Sequence, residues 1–401
     1  MKKKYFLYSL VLLLTIFLWY NKYAKGASDY FTPKILATHS NGEHYVGSQT
    51  CMECHEDIYN SHIKTAHYNT SAPASLERIK GSFIPGHNTL ELQEMRYQMI
   101  SKNNFFYEQG TYKYEDKNQS LSKIDIVIGS GVKGQSYLSW DNDRLYQLQT
   151  SYYTPTNSWI NSPNYPEYST RRPISSDCLK CHVTFAKNKD FSKNAYLYNK
   201  ESIILGVDCE RCHLPSSKHV VFHRENPDIK ESKFMLKFSE LSRKQRVDAC
   251  AVCHSGLRIQ RLKGNPFSFL SGENLEEYSK NFFSGRPNKT LDVHGNQYGL
   301  LTSSKCYKET PKMDCTTCHN SHKKQRGNIT HFIKKCIECH TTNESLCTED
   351  PAIIKSMGNN CIACHMPVAP SNSMKVKLNK DSIDTAVYVR THLIAVYPID
   401  N

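Results

Sequence analysis

The amino-acid sequence predicts short α-helices and long loops, interrupted by one antiparallel β module, around an interior that aliphatic side chains alone do not fill. The composition of the chain leads to this expectation. Only 39% of the 401 residues are hydrophobic, yet the chain carries 16 Cys, 18 His and 25 Tyr. This profile suits neither a disordered chain nor a conventional apolar core. It also excludes a collagen and a coiled coil.

The N-terminus has the features of an export signal. Three lysines at positions 2–4 precede an uncharged, apolar run over residues 5–20. A positive start followed by such a run is typical of a secretory signal. The run is slightly shorter than the roughly 20 residues of a membrane-spanning helix, while Trp19 and Tyr20 are typical of a membrane interface. Residues 1–26 are therefore expected to be a cleaved signal peptide or an inner-membrane anchor, which predicts the periplasm of a Gram-negative bacterium.

One short motif of the form Cys-x-x-Cys-His occurs seven times. The composition of the chain would produce roughly 0.03 copies by chance. The copies are Cys51, Cys54 and His55; Cys178, Cys181 and His182; Cys209, Cys212 and His213; Cys250, Cys253 and His254; Cys315, Cys318 and His319; Cys336, Cys339 and His340; Cys361, Cys364 and His365. Two thiols at this spacing can bind both vinyl groups of one haem, and the adjoining His then becomes the proximal ligand of the iron. The sequence therefore predicts seven covalent haem c groups and a multihaem cytochrome c fold, with helices and loops around stacked haems.

Other uses of this cysteine spacing fit the sequence less well. Zinc ribbons need two Cys-x-x-Cys pairs for each metal ion and no His after every pair. A thioredoxin-like redox site would occur once, in a βαβ context. Cys306 and Cys347 lie outside the motifs. In an oxidising compartment they are expected to form a disulfide, with two separate structural thiols as the alternative.

The formal net charge of +13 by itself suggests a nucleic-acid-binding protein. Each haem adds two propionates, so that seven haems contribute about fourteen negative charges. These charges largely cancel the basic excess, and no nucleic acid is expected as a partner.

The uneven spacing of the motifs predicts the organisation of the chain. The first haem-binding segment is expected over 27–94, an inserted β module over 95–175, a three-haem segment over 176–263, a linker over 264–290, and a second three-haem segment over 291–401. The β module is predicted from alternating or β-rich runs separated by turn signals. These runs are 97–101, 105–108, 112–115, 124–128, 136–140 and 144–153.

Histidines outside the motifs could supply a second ligand to each iron. Histidine on both sides of the iron favours electron transfer, whereas an open position allows a small molecule to bind and react. Eleven such residues are present: His39, His44, His62, His67, His87, His219, His223, His294, His322, His331 and His392. Met366 and Met374 are expected to pack against a haem and not to bind iron.

Part of the chain resembles the tetrahaem cytochromes that accept electrons from hydroxylamine oxidoreductase. The resemblance covers roughly residues 45–70 and 175–255. It rests on the order of the first four motifs, on Tyr45-Val46-Gly47-Ser48 and Thr65-Ala66-His67 around the first motif, on Asp177 to Val183, and on Gly206-Val207-Asp208. It implies that His67 and His223 are distal ligands, with His219 as the alternative to His223. It also implies a five-coordinate haem at Cys178 to His182.

The C-terminal part is similar to larger multihaem cytochromes of the same superfamily. The similarity rests on Asp292-Val293-His294-Gly295, on the extended motifs from Cys315 to His322 and from Cys361 to Pro367, and on Arg390-Thr391-His392. It implies that His294, His322 and His392 are distal ligands of haems elsewhere in the protein.

These expectations describe an exported heptahaem cytochrome that carries electrons between respiratory partners. The expected partner is a quinol-oxidising membrane complex or another cytochrome, with membrane contact through the N-terminus. The alternative is a multihaem reductase of a small nitrogen or sulfur compound at a five-coordinate haem. The sequence assigns no catalytic residue.

Overall fold

The structure is a computed structural model that describes residues 8, 10–20, 32–192, 194–256, 259–281, 291–340, 347, 349, 352, 355, 358, 360–378 and 384–398. Residues 10–20 form an exposed helix. Across the described ranges, no helix combines the length and the apolar character needed to cross a membrane. Residues 1–7, 9 and 21–31, on which the export prediction partly rests, lie outside those ranges.

The helices that follow are mostly short. They are α1 (Ser48–His62), α2 (Ser176–Leu179), α3 (Cys209–His213), α4 (Ser217–Glu225), α5 (Arg243–His254), α6 (Gln297–Ser303), α7 (Lys305–Glu309), α8 (Ile329–Ile337) and α9 (Cys361–His365). Six motifs begin in one of these helices, and the fifth begins in the 3₁₀ turn Cys315–Thr317. A helical turn places residues three apart on one face, so both thiols of a motif point the same way.

Side chains directly before a motif start several of these helices. Asp208 accepts a hydrogen bond from the Cys209 backbone N–H at 2.8 Å, and Asp314 accepts one from the Thr316 N–H at 2.7 Å. Asn360 accepts one from the Ala363 N–H at 3.3 Å. Such N-caps satisfy backbone donors that have no partner within the helix. The residue before the first cysteine therefore fixes where these helical turns begin.

Antiparallel strands occupy much of the first half of the chain. They are β1 (Ala37–Thr38), β2 (His44–Tyr45), β3 (Ser71–Pro73), β4 (Thr89–Glu91), β5 (Met95–Lys102), β6 (Phe105–Tyr112), β7 (Glu115–Ile124), β8 (Ile126–Ile128), β9 (Gly134–Asp141), β10 (Arg144–Tyr153), β11 (Ser158–Asn161), β12 (Arg172–Pro173), β13 (Val183–Phe185), β14 (Asn188–Asp190), β15 (Asn194–Tyr198) and β16 (Ile204–Leu205). Strands β17 (Ile259–Arg261), β18 (Ser279–Asn281), β19 (Val368–Lys377) and β20 (Asp384–Arg390) form two later hairpins.

Two sheets form what we call the β region, strands β3 to β15 without β13. One is the four-stranded meander β4-β5-β6-β7. The other is eight-stranded, with the path β14-β15-β10-β9-β8-β3 and with β11 and β12 also paired to β10. Strands β3, β4, β14 and β15 lie outside the predicted bounds 95–175. The β region therefore shares a sheet with the haem-binding segments on both sides of it.

The turns of the meander follow from the sequence. Asn103 and Asn104 both have positive φ, 52° and 61°, as a two-residue hairpin turn requires. The predicted strand 112–115 is wrong, because Lys113 and Tyr114 form the next turn and Tyr112 pairs with Glu115 across it. Tyr112 and Tyr114 both favour strands, which is why the pattern predicts a strand across this turn.

Aromatic residues and methionines fill the core of the β region. The fully buried side chains include Trp159, Tyr97, Tyr137 and Met99. The expected shortage of apolar packing therefore does not apply to this part of the chain, since large rings bury much area per residue. A second cluster around Tyr45, Phe185 and Phe267 joins β2 and β13 to the segment after the fourth motif.

The described part of the predicted linker is packed against the rest of the protein. Residues 264–281 include Phe267 and Phe269, which are 2% and 4% exposed. This stretch ends in β18, which pairs with β17. Residues 282–290 lie outside the described ranges.

Candidate haem centres

Cysteines of different motifs lie next to one another. A hydrogen bond with Cys51 is the main cause of the raised pKa of the Cys209 thiol. In the same way, Cys253 raises the pKa of Cys181, and Cys315 raises the pKa of Cys250. These contacts place the first motif beside the third, the second beside the fourth, and the fourth beside the fifth.

The last motifs continue this series. Burial raises the pKa of Cys318 to about 11, and the neighbouring Cys336 raises it further. Burial likewise raises the pKa of Cys336, with an additional effect of Cys361. Cys212 is buried, and the charge of Cys253 contributes to its raised pKa. In space, the motifs therefore follow the order one, three, four, five, six and seven, with the second motif beside the fourth.

Charged side chains hold neighbouring motifs together. Glu210, within the third motif, accepts backbone hydrogen bonds from Val46 at 3.1 Å, from Gly47 at 2.8 Å and from Ser216 at 2.8 Å. Because Gly47 precedes α1, this carboxylate fixes the first motif against the third. Burial raises the pKa of Glu210, and the three N–H donors oppose that effect.

The fourth and fifth motifs are joined by an ion pair. Arg246 on α5 donates from Nε to Asp314 Oδ2 at 2.6 Å. Asp314 is 5% exposed and also caps the 3₁₀ turn of the fifth motif. Sequence reasoning missed Glu210, Arg246 and Asp314. An acidic residue before or within a motif was the available signal, as Asp208 and Asp314 illustrate.

Most motif histidines use Nδ1 for a hydrogen bond inside the protein. The contacts are His182 to Thr70 Oγ1 at 3.1 Å, His213 to the Leu236 carbonyl at 3.3 Å, His254 to Gln297 Oε1 at 3.1 Å and His365 to the Ala395 carbonyl at 2.9 Å. Such a contact fixes the orientation of the imidazole and leaves Nε2 available to a metal.

Three motif histidines lie near a second histidine, at the ring-to-ring distance expected when two imidazoles bind the same metal. Two imidazoles that bind one metal from opposite sides, each at about 2 Å, have ring centroids roughly 6 Å apart. The observed centroid distances are 6.2 Å for His254 and His67, 6.0 Å for His213 and His322, and 6.2 Å for His319 and His392. The planes of His213 and His322 are nearly parallel, at 12°. These residues therefore fit the haem groups that the motifs imply.

Two of the candidate distal histidines have a buried ring nitrogen without a hydrogen-bond partner. Within the described residues, Nδ1 of His294 and Nδ1 of His392 are buried and accept or donate no hydrogen bond. Burial lowers the pKa of His182, and nearby His294 lowers it further. The structure thus brings His294 to the second motif.

The structure distinguishes His219 from His223. His219 uses Nδ1 for the Lys233 carbonyl at 2.7 Å, which leaves its Nε2 available. His223 uses Nδ1 for the Ile229 carbonyl at 3.1 Å, and its Nε2 accepts from the Lys233 N–H at 3.3 Å. Burial lowers the pKa of His219, and His55 is among the groups that lower it further. The geometry therefore favours His219 as the residue that faces the first motif.

Several other histidines make contacts of their own. His39 Nε2 contacts the Phe267 carbonyl at 2.9 Å while its Nδ1 accepts from the Asn41 N–H at 3.3 Å. His331 Nε2 contacts the Cys318 carbonyl at 3.2 Å. His62 lies between Asp208, at 3.4 Å, and the Ser321 carbonyl, also at 3.4 Å, and so supports the loop that carries His322. His44 Nδ1 contacts Thr38 Oγ1 at 3.0 Å, and His87 is exposed.

The predicted disulfide between Cys306 and Cys347 is not formed in the structure, where both thiols are free. Cys347 is exposed. Cys306 is close enough to Cys339 for the charge of Cys339 to raise its pKa, after burial as the main cause. The sequence offered no partner for Cys306 other than Cys347, because every other cysteine belongs to a motif.

Comparison with known proteins is consistent with this site. The family model described as cytochrome c554 and c-prime matches residues 135–214, which contain strands β9 to β12 and the second and third motifs. The outer cell wall cytochrome OcwA shares the fold, with a TM-score of 0.54 and 17% identity over 87% of this chain and 79% of that chain. Together with the seven motifs and the paired histidines, these likenesses support a multihaem c-type cytochrome, a class in which haem is bound covalently.

Within that class, the chain is similar to the multiheme cytochrome MtrA of Shewanella baltica (strain OS185). The two are 23% identical over 201 residues, which is 48% of this chain and 52% of that protein. The chain thus spans about half the length of the curated relative that it matches.

Proposed function

We propose that this chain is an exported heptahaem cytochrome that carries electrons between respiratory partners through mostly bis-histidine haems. The observation that carries the proposal is that every motif lies beside at least one other motif. Seven haems held at such contacts would be electronically connected, because each would lie close to a neighbour. The series would run from the first motif to the seventh, with the second motif as a branch at the fourth.

The chain's own residues would hold and orient the cofactors. The two cysteines of each motif would bind one haem covalently. Hydrogen bonds at Nδ1 would keep the imidazoles of His182, His213, His254 and His365 in place. The proposed distal ligands are His219 for the first motif, His294 for the second, His322 for the third, His67 for the fourth and His392 for the fifth. A haem with two imidazole ligands supplies one-electron transfer without binding a substrate at the iron.

The reductase alternative places a five-coordinate haem at the second motif. His294 lies near enough to His182 to lower its pKa, and as a sixth ligand at this haem it would favour the electron carrier. The alternative predicts that nitrite or another small oxyanion reaches the iron directly.

Export and partners belong to the same proposal. Lysines at positions 2–4 and the apolar run 5–20 support export to the periplasm, with the chain either released or anchored by that run. A quinol-oxidising membrane complex or another cytochrome would then exchange electrons with it.

Two measurements on the purified protein test the proposal. The mass should exceed that of the polypeptide by seven haems, and electron paramagnetic resonance of the oxidised protein should be dominated by low-spin ferric signals. A high-spin signal that nitrite or cyanide displaces would instead support the reductase. A mass without haem would contradict both.

A further inference from the structure

A cavity of about 240 Å³ lies where three segments of the chain meet. Its wall comes from the connection after α1, from the β region and from the loop after the fifth motif. The charged residues that line it are Lys64, Arg78, Lys80, Lys324 and Arg326, opposed only by Glu77. Five cations and one carboxylate thus line the same cavity.

Four of these cations, Lys64, Lys80, Lys324 and Arg326, are exposed, whereas Arg78 is half-buried. In the part of the chain that the structure describes, none of the five forms an ion pair. Like charges in one cleft repel each other, and a cleft lined by one sign of charge concentrates the field. An anion in the cavity would reduce that repulsion, so the charge of the cavity suits an anionic ligand.

The site is preorganised, because hydrogen bonds within the protein hold Arg78 in place. The guanidinium of Arg78 donates to Asn69 Oδ1, and Asn69 Nδ2 in turn donates to the Ile63 and Thr65 carbonyls, both at 2.7 Å. Arg78 therefore has a fixed position, and less conformational entropy is lost when it binds an anion.

The β region fixes the other side of the cavity. Gln135 is 6% exposed. Its Oε1 accepts from the Lys80 N–H at 2.8 Å, and its Nε2 donates to the Arg78 carbonyl at 2.9 Å. A Cβ at Gly131 would lie 2.9 Å from Lys80 Cγ, so a larger residue there would displace the lysine stem. The backbone that carries both cations is thus held by β9.

The cavity adjoins two of the haem centres. Its wall includes Thr65 and Ala66, directly before His67, and Gly129, whose N–H donates to the Thr70 carbonyl at 2.7 Å. The Thr70 hydroxyl contacts His182 Nδ1 at 3.1 Å. A charge bound in the cavity would therefore act on the second and fourth motifs.

We propose that this cavity is an anion-binding site that takes anionic oxygens through Arg78, Lys80 and the cations around them. The oxygens can come from the propionates of a resident haem or from a free inorganic oxyanion such as phosphate. The proposal needs a haem-loaded chain but not the electron-carrier function, so either can fail alone.

The test uses the haem-loaded protein with inorganic phosphate as the probe, against sodium chloride at equal ionic strength. The double variant Arg78→Gln/Lys80→Gln is compared with Lys102→Gln, which removes an exposed, unpaired charge at a hairpin of the same β region. For a free oxyanion, millimolar phosphate should raise the Tm of the wild type and of Lys102→Gln by about 2–4 °C and leave the double variant unchanged.

If the ligand is instead a haem propionate, phosphate should leave the Tm of every variant unchanged. The double variant should then lower the midpoint potential of one haem, because the loss of positive charge favours the oxidised iron. Lys102→Gln should leave every potential unchanged. Lys80→Arg keeps the charge and should behave as the wild type, which separates binding from misfolding. If the double variant matches Lys102→Gln in both measurements, the cavity is not an anion site.

Discussion

Asp314 carries a charge in a nearly buried position between Thr316 and Arg246. Burial alone would raise the pKa of this carboxyl, but the hydrogen bonds from Thr316 and Arg246 outweigh burial and lower it. A lowered folded-state pKa means that the group stabilises the fold above its unfolded value of about 3.9. That contribution is lost as the pH falls through the folded-state pKa.

We therefore expect Asp314→Asn to lower the free energy of unfolding by about 1–3 kcal/mol at pH 7, because it leaves the Arg246 guanidinium unpaired. The difference from the wild type should shrink at pH 3. Urea unfolding at both pH values, monitored by circular dichroism, measures this difference in the free energy of unfolding. Asp57→Asn changes an exposed carboxyl of α1 and should have little effect at either pH. An equal loss at pH 7 and pH 3 would contradict the role of the ionised carboxyl.

His219 and His223 form a matched pair on α4, with ring centroids 4.6 Å apart. Only His219 has an available Nε2, so His219→Ala should convert one haem from low-spin to high-spin. His223→Ala should leave the low-spin signals intact. Electron paramagnetic resonance of both oxidised variants decides between them, and the opposite result would assign the ligand to His223.

At the level of elements, Gly206 lies where the connection after α1 closely contacts the chain just before α3. It has a φ of +74°, and a Cβ on it would lie 2.5 Å from the Tyr68 carbonyl oxygen. Its N–H donates to Ser71 Oγ at 2.8 Å, just before the third motif. The connection after α1 and the start of α3 can therefore meet only through a glycine.

Gly206→Ala should cost more stability than Gly42→Ala. Gly42 has a similar φ, +89°, but nothing lies within 4 Å of its added Cβ. Gly42→Ala therefore measures the backbone strain alone, about 1 kcal/mol. Gly206→Ala adds a collision with backbone and should exceed that figure in denaturant unfolding. Equal losses would mean that the two segments can move apart freely.

The sequence predicted best what depends on neighbours along the chain. The motifs can be identified directly, and the turn at Asn103 and Asn104 follows from residues that tolerate positive φ. The turn at Lys113 and Tyr114 carries no such residues, which explains why a strand was predicted there.

Long-range contacts were not predictable from local patterns. Nothing near His67 indicates that His254 is its neighbour, and a single motif does not reveal that Glu210 holds the start of α1. His219 was separable from His223 only by its hydrogen bonds, because both lie at plausible positions on one short helix. The resemblance to tetrahaem cytochromes favoured His223, whereas the geometry favours His219.

For the whole molecule, the eight-stranded sheet joins segments that the sequence suggested were separate. Strand β3 follows the first motif, and β15 follows the second, yet both belong to the sheet that contains β10. The β region is therefore part of the framework that positions the haem centres, and the anion site proposed at its edge gives it a further role.

The histidine pairs also affect how the folded chain can form. His67 meets His254, and His213 meets His322, so each pair joins residues far apart in the chain. Contacts of this kind form slowly, because a long loop must close first. During that interval the thiols of the motifs remain accessible. The topology thus leaves time for haem to attach to each motif before the chain closes around it.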